Sequence, residues 1–94
     1  MIVCAAQVSI RLAGMTSLKD KRRVIRSLLA SIRNMGLSVA EVDDHDLWGN
    51  ATLGFAIAHS STIDAQNSIE KAIELIESCP EVVHCDAYQS SFFM

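Results

Sequence analysis

The chain has 94 residues, half of them hydrophobic and a single one proline, which fits one domain with enough apolar surface to fold and argues against disorder. Its net charge of −3 excludes generic nucleic-acid binding by overall charge, but the charge is unevenly placed. Residues 1–40 hold seven basic residues against one acidic, or +6, and residues 41–94 hold one basic against ten acidic, or −9, so a local basic patch survives the balance.

The opening stretch lacks the basic start of a signal peptide. It alternates instead, with Ala6, Val8, Ile10 and Leu12 on one side and Gln7, Ser9 and Arg11 on the other, which predicts a half-buried strand over residues 2–12. After the turn at residues 13–16, Ser17 followed three residues later by Asp20 resembles a capping box and predicts a helix that Gly36 closes. Leu18, Val24, Ile25, Leu28, Leu29, Ile32 and Met35 share one arc of that helix, its core face. Lys19, Arg22, Arg23, Arg26 and Arg33 cluster on an arc pointing nearly the other way, and Lys21 falls inside the apolar arc.

Residues 37–43 predict a second strand of open register, because Val39 and Val42 have opposite parity. Residues 44–50 form a polar turn, and residues 51–59 alternate bulky and small side chains in a third strand. Ser61 or Thr62 caps a second helix lined by Ala65, Ile69, Ala72, Ile73 and Ile76, which Pro80 ends. Residues 81–89 predict the fourth strand and residues 90–94 a short tail, either docked or exposed as a partner contact. The order β-α-β-β-α-β is the split βαβ of ferredoxin-like folds, an antiparallel 4-1-3-2 sheet with both helices on one face.

Residues 17–24 (Ser-Leu-Lys-Asp-Lys-Arg-Arg-Val), 38–42 (Ser-Val-Ala-Glu-Val), and Asp43, Asp46, Leu47 and Trp48 resemble the bacterial YlxP-like family, a domain of unknown function. The resemblance spans nearly the whole chain and implies the same ferredoxin-like fold. It departs from the family pattern at His45 and Gly49. The family's gene often lies among translation and ribosome-maturation genes, so the resemblance implies a link to ribosomal RNA or a ribosomal particle.

The basic stripe Lys19, Arg22, Arg23, Arg26 and Arg33 suits successive phosphates. The competing reading is an ordinary solvated helix face. Lys21 needs a partner where it points into the core, and Asp43 or Asp46 is expected to supply the salt bridge. Trp48 is expected to anchor the turn. Asp43, Asp44, His45 and Asp46 have ligand-type side chains but no second cluster to close around an ion, so no metal or cofactor is expected.

The odd cysteines Cys4, Cys79 and Cys85 read as reduced core thiols of a cytosolic protein, and no run is long enough for a membrane helix. No catalytic arrangement is suggested, since His84 and Cys85 point to opposite faces of a strand. The open sheet face, expected to show Gln7, Ser9 and Arg11 beside Thr52, Gly54, Ala56 and Ala58, lacks the stacking aromatics of an RNA-recognition motif. Those small residues offer a second reading, a homodimer or a protein or metabolite contact through that face.

Overall fold

The computed structural model describes residues 1–94. The elements are β1 (Ile2–Leu12), α1 (Leu18–Asn34), β2 (Ser38–Asp43), β3 (Asn50–His59), α2 (Thr62–Glu77) and β4 (Val82–Phe93). The four strands form one antiparallel sheet in the order β2-β3-β1-β4, the ferredoxin-like arrangement. No helix is long and apolar enough to cross a membrane.

The two-residue period of β1 decides which face is core. Ile2, Cys4, Ala6, Val8, Ile10 and Leu12 are all buried beneath the helices. Ala51, Leu53 and Phe55 continue that layer on β3, and Val39 continues it on β2. From above, α1 contributes Ile25, Leu28 and Ile32, and α2 contributes Ala65, Ile69, Ala72, Ile73 and Ile76. One apolar layer thus closes between sheet and helices, with α1 packed on β2 and α2 on β1, β3 and β4.

Both helices start on a serine side chain, which satisfies a backbone N–H that the first turn leaves without a partner. Ser17 accepts from the Asp20 N–H at 3.1 Å and Ser61 from the Asp64 N–H at 3.3 Å. Asp20 does not return to its own cap, as a capping box would. It reaches one residue further, accepting from the Thr16 N–H at 3.1 Å and the Thr16 hydroxyl at 2.6 Å. At the far end of α1, Gly36 takes φ +86°, a left-handed conformation that glycine adopts without steric penalty.

Two strands differ from the expectation. The register of β2 against β3 shifts between Glu41 and Asp43, so a bulge at Val42 breaks the alternation. Val39 and Glu41 face the helices, while Val42 lies over Gly54, where a Cβ would sit 3.0 Å from Val42 Cγ1. The residues expected as a tail instead extend β4 to Phe93, paired along β1 as far as Ile2. Backbone pairing with β1 overrides the polarity of Ser90 and Ser91, which had suggested that the strand stopped.

Candidate nucleic-acid interface

The cationic face of α1 is built by helical phase. Positions 19, 22, 23 and 26 are three or four residues apart, so their side chains stack along one side of the helix. All four are exposed, and together they line a shallow recess with no hydrophobic wall. Arg33 is exposed two turns further on, roughly 10.5 Å along the axis from Arg26 at 1.5 Å per residue, and does not line the recess. It lies in the last turn, where a cation complements the carbonyl end of the helix. The nearby anion is Asp20, whose carboxyl is held below its ordinary range by the Thr16 hydroxyl and backbone, with a smaller contribution from Arg23.

Lys21 is of another kind. It is 1% exposed, and its Nζ lies 3.0 Å from Glu41 Oε2. The expected partners, Asp43 and Asp46, are not the ones used. The bulge at Val42 leaves Glu41 facing the helix, whereas the Asp43 carboxylate accepts from the Asp44 N–H and Asp46 lies out in the turn. Lys21 also donates to the carbonyl of Asp44 and, at 3.5 Å, to that of His45. The contact with Glu41 Oε2 is an ion pair outside hydrogen-bond geometry, and that oxygen accepts no hydrogen bond.

The same lysine explains the turn. Asp44 stands at φ +64°, and its carboxylate accepts from the buried Thr52 hydroxyl at 2.8 Å. His45 Nε2 meets the Glu41 carbonyl at 3.0 Å. Trp48 is 51% exposed, so the expected anchoring role does not hold. Lys21 and Thr52 tether the loop from inside and leave the indole half in water. No three His, Cys, Asp or Glu side chains converge on a point that could hold a metal ion.

Burial raises the thiol pKa of Cys79 and Cys85, aided by Glu81 beside the first and by Glu77 and Asp86 beside the second. Neither thiol is activated.

The open face of the sheet is not free of aromatics. Tyr88 stands opposite Gln7 and Phe92 opposite Val3, both on the outer strand β4 and both well exposed. Sequence reasoning missed Phe92 there because it ended the strand at Gln89. Across this face Asn50, Arg11 and His84 form a polar row at one end, and Ala58, Val3 and Phe92 an apolar row at the other.

A basic helix face beside a tethered acidic turn, on a ferredoxin-like frame, makes this a small α+β domain of ferredoxin-like fold. Residues 3–89 match the model of the family described as "Protein of unknown function (DUF503)", and the chain belongs to that family. It is 30% identical over 67 residues to "Uncharacterized protein YlxP" of Bacillus subtilis (strain 168), covering 70% of this chain and 73% of that protein. A de novo designed protein with a ferredoxin fold aligns over 100% of this chain and 88% of its own, with a TM-score of 0.59 at 10% identity. A dimeric ferredoxin-like protein of unknown function from Thermobifida fusca aligns over 97% and 92%, with a TM-score of 0.54 at 10% identity. At such identities the two structures speak for the fold alone.

Proposed function

We propose that the chain is a non-enzymatic, cytosolic interaction module that binds RNA, free or within a ribosomal particle, through the basic face of α1. The observation that supports this reading is the group Lys19, Arg22, Arg23 and Arg26. These are four exposed cations around one recess, in a molecule whose single ion pair is used elsewhere, by Lys21 and Glu41. Like charges held together without carboxylate partners favour a polyanion that neutralises them all. From Lys19 to Arg26 the face runs about 10.5 Å along the axis, enough to meet more than one phosphate of a strand.

Co-sedimentation with ribosomal subunits and filter binding to ribosomal RNA at two salt concentrations test the reading. Four phosphate contacts should weaken binding roughly 50- to 150-fold between 50 and 200 mM salt. Reversing Arg22, Arg23 and Arg26 to glutamate should abolish it. Binding that ignores salt, or survives the reversal, would remove α1 from the interface.

A second reading is favoured by the apolar end of the open face, where Val3, Ala5, Ala56 and Ala58 leave room for another sheet in a homodimer, or for a small ligand. One structural neighbour is itself described as dimeric. Ala56→Trp should destroy a contact of that kind and leave RNA binding unchanged.

A further inference from the structure

The two edges of the sheet end differently. β2 is six residues long, bulged at Val42 and flanked by Glu41, Asp43 and the left-handed Asp44, features that keep a strange strand from adding to it. β4 is twelve residues long, has no proline or lysine, and carries Asp86 as its one carboxylate. Its outward hydrogen-bonding groups can be assigned. The Met94 N–H donates to the Met1 carbonyl at 2.9 Å, and the Met1 amino group donates to the Met94 carbonyl at 2.9 Å. Bonded and non-bonded pairs alternate along an antiparallel ladder. The pairs Val3–Phe92, Ala5–Ser90, Gln7–Tyr88 and Ser9–Asp86 are therefore the bonded ones. Cys85, Ala87, Gln89 and Ser91 accordingly turn their N–H and C=O groups away from β1, to the side where the sheet has no further strand.

Three aromatic side chains along this edge are unshielded. Tyr88 is 73%, Phe92 57% and Phe93 73% exposed. A ring of this size buries roughly 150–250 Å² when covered, so on the order of 400 Å² of aromatic surface stands in water along one strand. That is about half of the roughly 800 Å² each partner contributes to a standard protein interface.

We propose that β4 pairs antiparallel with β4 of a second copy of the chain, joining two four-stranded sheets edge to edge. A two-fold axis at Tyr88 sets Ala87 opposite the second copy's Gln89 and Cys85 opposite its Ser91, so that outward donors meet outward acceptors over nearly the whole strand. The same axis puts the two Tyr88 side chains at a non-bonded site, where cross-strand neighbours are closest. It also sets Asp86 against Ser90 rather than against itself, so the strand's one carboxylate meets no like charge. This pairing lies in the plane of the sheet, distinct from a face-to-face contact, and does not depend on the RNA reading. The basic face of α1 lies over β2, at the opposite edge of the sheet.

Sedimentation velocity on the full chain across a concentration series tests it. The expected result is a concentration-dependent doubling of the 10.3 kDa mass. Ala87→Pro removes one outward N–H without touching a bond to β1, and should weaken the dimer at least about tenfold. Tyr88→Cys should give an oxidised, disulfide-linked dimer that the wild-type chain, with its own three cysteines, does not form. The cross-link carries the test should Ala87→Pro fail to fold. A chain that stays monomeric throughout overturns the proposal. So does a dimer that Ala56→Trp abolishes and Ala87→Pro spares, and so does a dimer in which Tyr88→Cys gives no cross-link.

Discussion

Lys21 and its neighbours Lys19, Arg22, Arg23 and Arg26 share a helix and a sign of charge, yet they are put to opposite uses. The neighbours stand in water without ion-pair partners, while Lys21 is 1% exposed with Glu41 and two backbone carbonyls around its ammonium. At 100° per residue, a shift of one position carries a cation from the solvated arc into the core arc. The difference teaches that a basic run is not one feature. Helical phase divides it into a structural cation that ties the helix to the turn and a group left in solvent without ion-pair partners.

The comparison breaks most visibly at Lys21. Lys21→Met leaves the Glu41 carboxylate, 18% exposed, without its counter-charge and the Asp44 carbonyl without its donor. Removing one member of such a pair costs about 3 kcal/mol, so urea denaturation should show a loss of that size. Adding Glu41→Leu should recover more than half of it, because no buried charge then remains. A Lys21→Met variant as stable as wild type would show that the lysine belongs with its solvated neighbours. Thr52→Val comes next: it keeps the shape and deletes the donor to Asp44, and hydrogen bonds to charged groups contribute about 1.5–3 kcal/mol. A loss near the lower figure is expected, since the Asp44 carboxylate is only partly buried.

These effects also mark how far the sequence could be read. Element order and core arcs were legible because period 2 in β1 and period 3.6 in both helices leave few alternatives. That Lys21 lies inward followed from the same arithmetic. Its partner did not, because the bulge at Val42 carries Asp43 to the register of Thr52 and leaves Glu41, in phase with Val39, beneath the helix, and the opposed parity of Val39 and Val42 marks an irregularity without placing it. The length of β4 was hidden for a related reason. Ser90 and Ser91 resemble a tail by composition, and only their pairing with Ala5 and Cys4 makes them strand. Trp48 misled through residue type, since a large ring suggests an anchor and the anchoring here is done by an ammonium and a hydroxyl.

The smallest expected change in stability is at the four exposed cations, and it sharpens the contrast from the other side. Arg22, Arg23 and Arg26 reversed to glutamate should leave the unfolding free energy within about 0.5 kcal/mol of wild type, as surface substitutions usually do. The pH profile separates this from a loss of structure. The Asp20 carboxyl is lowered first by the Thr16 hydroxyl and only last by Arg23. A lowered folded-state pKa means a contribution that is complete above the unfolded value and is lost as pH falls through the folded one. Acid titration of stability should therefore keep its shape in the triple variant, with the Asp20 transition displaced slightly upward, and should shrink and move up further in Thr16→Val, which deletes the hydroxyl and keeps the Thr16 N–H. If the reversal instead removes the whole acid-dependent contribution, Arg23 and not Thr16 holds Asp20, and the basic row is partly engaged in supporting its own helix.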